Sequence, residues 1–219
     1  MVPFLKGQWP ESHLLGLDSS AEMLGVARES HPSVEFVQAD FSAFSPGSNF
    51  DFIFSNAALH WHENHTALIP QILSWLSPGG VFAMQIPDTT SQPSHLLIKE
   101  SARRLGFAEV EGVRIASMRQ PGHADFEFYY ELLSGKCLSL DMWNTTYCQV
   151  LEGSNPVPEF VRSTGLIPVV QALGGEESEK ASMFLEEYSR LVAEAYSQRK
   201  DGKTLFPFKR FFMVVTMPL

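Results

Sequence analysis

Two aspartates stand where strand-like runs end. HLLGLD (13–18) closes on Asp18, and VEFVQAD (34–40) closes on Asp40. Ligands of an open α/β sheet bind beyond the C-terminal ends of its strands. An acid at an early strand end can accept both hydroxyls of a ribose, and an acid after the next strand can accept from an adenine amine. The ordinary alternative for either residue is a turn former or helix cap. Because Ser19 follows Asp18, both roles can hold there. Near the other end of the chain, Arg199, Lys200, Lys203, Lys209 and Arg210 cluster, although the net charge is −9. Such a cluster is either a solvated face or a seat for an acid. A guanidinium fork matches a carboxylate better than an ammonium does, so Arg199 and Arg210 are the expected anion binders and Lys200 a solvated control. MWNTTY (142–147) offers Trp143, Thr146 and Tyr147 as pocket walls. Strand alternation puts Trp143, Thr145 and Tyr147 on one face, so Thr146 joins them only across a bulge. His60, His62, Glu63 and His65 are possible zinc ligands, but the spacing H-x-H-E-x-H matches no metal motif, and no metal site is expected.

These residues need elements to hold them. Ser19 with Glu22 three residues on reads as a capping box for a helix over 19–30, ended by Pro32. FDFIF (50–54) is nearly continuous in apolar character, as in a strand covered on both faces. Helical spacing at Ala67, Leu68, Ile72, Leu73 and Leu76 stops at Pro78-Gly79-Gly80, and VFAMQIP (81–87) is a further buried strand. Helices are expected at 94–106 and near 125–134, a strand at 137–151, and a final strand at 208–217. The strongest amphipathic helix, 178–197, carries Met183, Phe184, Tyr188, Leu191, Val192 and Ala195 on its apolar side. Strands alternating with helices predict a parallel α/β sheet with helices on both faces. The 219 residues read as a single domain, with a helical cap from about 107–136 and 153–205.

The acidic balance excludes a general binder of nucleic acid or of an anionic membrane surface. No apolar run reaches the roughly 18–20 residues of a membrane span. Cys137 and Cys148 are too few for a disulfide scaffold, which points to reduced thiols and a cytoplasmic setting.

The runs GLDSSAEMLGVARE, FVQADF, FDFIFSNAALHW and LSPGGVFAMQIPD resemble successive motifs of the class I S-adenosylmethionine-dependent methyltransferases. YYELL, MWNTTY, RSTGLIP and VAEAYSQRKDGKTLFPFKRFFMVV are similar to the trans-aconitate 2-methyltransferases among them. The resemblance implies a Rossmann-like sheet, S-adenosylmethionine as cofactor, and a monomer acting on a small polycarboxylate. It implies cofactor contacts from Asp18, Ser19, Asp40, Phe41 and Asn56. On the acceptor side it implies positioning by His60, Trp143, Thr146, Tyr147, Arg199 and Arg210.

One family feature is absent. No G-x-G-x-G turn precedes Asp18, where Gly7 and Gly16 are the only glycines, and residues 3–10 read as the end of the helix that would follow such a turn. The expectation is an N-terminally truncated sheet. The strand normally found between 13–18 and 50–55 would be missing, leaving backbone groups unpaired or forcing those two strands together. The leading function is methyl transfer to a carboxylate of trans-aconitate or a related acid. The alternatives are another small carboxylic acid, or a catalytically inactive remnant that acts as a binding or interaction protein.

Overall fold

A computed structural model describes residues 1–89, 91–113 and 124–219. Its contacts divide the chain into two compact units, Met1–Asn49 and Phe50–Leu219.

The first unit contains α1 (Val2–Gln8), β1 (Leu15–Asp18), α2 (Ala21–Ser30) and β2 (Glu35–Gln38). β1 and β2 are parallel, in register from Leu15 opposite Glu35 to Asp18 opposite Gln38. The α2 cap falls one residue later than expected: Ser20, not Ser19, accepts from the Met23 N–H. Asp18 sets this up, because its Oδ1 accepts the Ser20 N–H at 2.8 Å. Gly16 lies under the Phe36 ring, and a Cβ there would come within 2.4 Å of Phe36 Cδ1.

The second unit contains β3 (Phe50–Asn56), α3 (His65–Leu73), β4 (Leu76–Pro87), α4 (Pro93–Leu105), α5 (Phe126–Leu133), β5 (Ser139–Glu152), α6 (Val157–Val161), α7 (Ile167–Ala172), α8 (Glu179–Ala195) and β6 (Lys203–Thr216). Its strands run in the order β3-β4-β6-β5, and β1-β2 form a separate two-stranded sheet. β3 and β4 are parallel, while β6 is antiparallel to both β4 and β5. Among the described residues β1 and β3 belong to different sheets.

Two boundaries differ from the sequence reading. β4 takes in Ser77-Pro78-Gly79-Gly80, which occupy a register shift against Phe50–Phe52 instead of ending a helix. Gly79 adopts φ +73, a conformation open to glycine. β6 begins at Lys203, so 203–205 leave the expected cap. The remainder of the 153–205 cap is α6, α7 and α8; of the 107–136 cap, residues 114–123 lie outside the described residues.

α4, α6, α7 and α8 enclose a core of Ile98, Val157, Val169, Phe184, Tyr188 and Val192, into which β6 inserts Phe206. On one face of the sheet Phe82, Met84 and Ile86 of β4 stand opposite Val215, Met213 and Phe211 of β6, and all six are buried. The other face carries Gln85, Arg210, Phe212 and Trp143, and it leads to the site.

Gly16→Ala tests the close approach in the first unit. The new methyl forces Phe36 from its place, and overpacking of this kind costs about 1–3 kcal/mol. Denaturation midpoints should fall accordingly, and Phe36→Leu in the same chain should restore most of the loss.

Candidate active site

The parallel pair β3-β4 ends where Asn56 stands opposite Gln85. β6 runs back past this end and puts Arg210 opposite Pro87 on one side and Thr145 on the other. The guanidinium turns toward the sheet end. Its Nη1 donates to Gln85 Oε1 at 3.2 Å, and its Cζ lies 4.5 Å from the centroid of the Phe208 ring. Trp143 stacks on Phe212 at 5.1 Å with the rings nearly coplanar in orientation. Trp143, Thr145 and Tyr147 share their face with Phe212, Arg210 and Phe208, their direct partners in register.

Partial burial without an ion pair distinguishes Arg210 from the arginines on the helix surfaces. Arg103 and Arg104 meet Glu100, Arg162 meets Glu176, and Arg190 meets Glu187 and Glu194. Arg210 is half-buried and has no carboxylate beside it among the described residues. Burial lowers its pKa, as expected of a cation short of water and of a counter-charge. Next to it in the chain, Lys209 points to the opposite face and pairs with the buried Asp88 at 2.7 Å.

A tight turn follows β3. Ala57 sits at φ 51 with its N–H on the Gln85 carbonyl, and a 3-10 turn spans Leu59–Trp61. His60 is buried against the exposed Trp61, with ring centroids 5.3 Å apart. His65, at the start of α3, is buried with both ring nitrogens engaged: Nε2 to the Leu59 carbonyl at 2.9 Å and Nδ1 to the Tyr129 hydroxyl at 2.6 Å. A carbonyl only accepts, so Nε2 carries the proton and Tyr129 donates to Nδ1. Those bonds use the His65 lone pair that a metal would need.

The structure thus gathers Asn56, Arg210, Trp143 and Tyr147 around the end of the parallel strands, with His60 in the turn just beyond. It does not bring Arg199 to them. Arg199 is exposed in the turn that closes on Lys203, and β6 rises about 3.3 Å per residue, so that turn lies roughly 23 Å from Arg210. β5 has no bulge at MWNTTY, so Thr146 faces the other way, opposite Lys209. In the first unit Asp18 and Asp40 are exposed turn formers, and Asp40 Oδ1 accepts from the Ser42 N–H. Ser19 and Phe41 directly follow these acids. The sequence reading passed over Gln85, which orients Arg210; a lone amide inside the apolar run VFAMQIP was the available signal. It also passed over Phe208, two residues from Arg210, and Tyr129, whose partner His65 is remote in sequence.

Residues 1–80 match the family model described as a methyltransferase domain. A trans-aconitate 2-methyltransferase from Azoarcus sp. is 41% identical over 207 residues, covering 94% of this chain and 79% of the relative. One from Escherichia coli is 34% identical, covering 96% of this chain and 79% of the relative. The chain belongs to the trans-aconitate 2-methyltransferase family. It is a methyltransferase, and its fold agrees with that assignment. The YcgJ protein from Bacillus subtilis superposes with a TM-score of 0.55 at 14% identity, covering 96% of this chain and 85% of that one. Phosphoethanolamine N-methyltransferase 2 from Haemonchus contortus, solved with S-adenosylhomocysteine, gives 0.51 at 16% identity, covering 94% of this chain and 44% of that one. The structural likenesses concern the fold alone. Among the described residues, no helix is long and apolar enough to cross a membrane.

Burial pushes the pKa of both His65 and His95 down to about 4 in this methyltransferase. Unfolded, each would titrate near 6.5, so between those values the unfolded chain binds more protons and stability rises with pH. Acidification from pH 7 to pH 4 should therefore cost about 3 kcal/mol per histidine. Denaturant midpoints measured across that range should show the slope, and His95→Leu should remove about half of it.

Proposed function

We propose that this chain transfers the methyl group of S-adenosylmethionine to a carboxylate of trans-aconitate or a related small polycarboxylic acid, acting as a monomer in the cytoplasm. The observation that carries the reading is Arg210: a half-buried guanidinium beyond the end of the parallel strands, framed by aromatic rings and without a carboxylate beside it among the described residues. A polycarboxylate supplies the missing counter-charge. Asn56 at the strand end, with His60 and Trp61 in the turn beyond it, completes the acceptor side of this reading.

The cofactor would contribute an electrophilic methyl on a sulfonium. Asp18 suits its ribose. Only Oδ1 of this exposed carboxylate is taken up by the Ser20 N–H, and a carboxylate has room for further hydroxyl donors. Asp40, with Phe41 beside it, would take the adenine end, and Ser19 is the remaining proposed contact of this unit. The acceptor needs no general base, because a carboxyl group with a pKa near 4 is already ionised at pH 7. What the protein must do is align oxygen, carbon and sulfur and exclude water. Arg210 holds a carboxylate that does not react, so that another is presented to the methyl. Trp143 and Tyr147 limit water around it.

Arg210→Met should lower kcat/KM for trans-aconitate by about 10- to 150-fold, the equivalent of a charge-assisted hydrogen bond of about 1.5–3 kcal/mol. Arg210→Lys should recover only part of this, since it lacks the planar fork. Arg199→Met and Lys200→Met should each change it less than about 3-fold. Equal effects at positions 199 and 210 would assign the loss to general surface charge and remove Arg210 from the acceptor site.

A further inference from the structure

Only two residues other than glycine adopt positive φ among the described residues: Ala57 at 51 and Ala124 at 54. An alanine in this region is held there against a cost of its own, and such residues concentrate where the surrounding structure fixes a functional turn. Two hydrogen bonds tie the first turn to α5, which starts just after the second. Tyr129 donates to His65 Nδ1, and His65 Nε2–H donates to the Leu59 carbonyl. Each link runs from donor to acceptor in one direction, which leaves no tautomer ambiguous.

The strut is buried and braced. Tyr129 and His65 are almost wholly withdrawn from solvent, and the Tyr129 ring stacks on Phe211 of β6 at 5.2 Å. At the inner end, Leu59 immediately precedes His60 and Trp61. At the outer end, Asp125 caps α5, accepting from the N–H groups of Glu127 and Phe128. Depression of the His65 pKa keeps the imidazole neutral, so that Nδ1 remains an acceptor.

We propose that His65 is a positioning residue of the acceptor site, fixing the Leu59 carbonyl, and through it His60 and Trp61, against Tyr129 of α5. The inference rests on the acceptor reading given above. His65 touches no substrate in this scheme. It sets where the turn stands, and a displacement of about 1 Å at a reacting centre is enough to cost on the order of 100-fold in rate.

Three variants separate hydrogen bonding from packing. His65→Leu keeps an apolar side chain but breaks both bonds. Tyr129→Phe breaks the outer one alone. His65→Gln can span both partners, since its amide oxygen accepts and its amide nitrogen donates. Two quantities are read on the intact protein: steady-state methyl transfer to trans-aconitate, and the indole N–H resonances of Trp61 and Trp143. His65→Leu should lower kcat by about 10- to 100-fold with KM within about 3-fold, and should shift Trp61 while leaving Trp143 in place. Tyr129→Phe should show a smaller effect of the same kind, and His65→Gln should return both readouts close to wild type. The proposal is overturned if His65→Leu leaves Trp61 and kcat unchanged, or if His65→Gln is as impaired as His65→Leu. Should the unaltered protein methylate no polycarboxylate, the acceptor reading fails, whereas the Trp61 resonance still decides whether His65 positions the turn.

Discussion

β6 is hydrogen-bonded on both sides over Arg210–Thr216, to β4 and to β5, and the rest of the second unit depends on that pairing. Because strand side chains alternate, one register fixes two surfaces at once. Phe211, Met213 and Val215 go to the buried face, where Tyr129 stacks on Phe211. Arg210 and Phe212 go to the other. A slip of one residue would exchange the two sets, putting a guanidinium into the apolar layer and a phenyl ring at the strand ends. The cost of burying an unpaired charge among Phe82, Met84 and Ile86 keeps the register in place.

The position of the cation then follows from strand direction. β6 is antiparallel to β4, so it carries a side chain back over the end where β3 and β4 stop. There the guanidinium finds an amide oxygen and a ring face, neither of which neutralises it. Arg103, Arg104, Arg162 and Arg190 instead lie beside glutamates on helix surfaces, where such pairs contribute at most about 1 kcal/mol. A cation left without a carboxylate in a partly desolvated place interacts more strongly with an incoming acid than one exposed on a helix.

Much of this was legible in residues close together in the sequence. The stripe Phe184, Tyr188, Leu191 and Val192 is buried as its spacing requires, although Met183 and Ala195 at its margins face outward. The α2 cap was placed within one residue, because a serine pair after an acid limits the choices. What escaped was decided at long range. Pro207 disguised the start of β6, since proline interrupts a strand flanked on both sides. It is tolerated because β4 pairs with β6 only from Arg210 onward, so at Pro207 only β5 is alongside. Pro78-Gly79-Gly80 read as a stop and proved to be a shift of register inside β4. The histidines at 60–65 suggested a ligand cluster by proximity, yet the partner of His65 is 64 positions away in α5.

The order of strands in space also has a temporal side. β6 is central among the second unit's strands but follows all of them along the chain. During synthesis the edge of β4 and the whole of β5 must wait for it, and pairings this distant in sequence form slowly. Until β6 arrives, Phe82, Met84 and Ile86 lack their partners, and Phe206 is absent from the helical core. The same segment delivers Arg210. Closure of the sheet and the appearance of the anion-binding charge are therefore one event, and an incomplete nascent chain exposes a sticky strand edge before it can hold an acid.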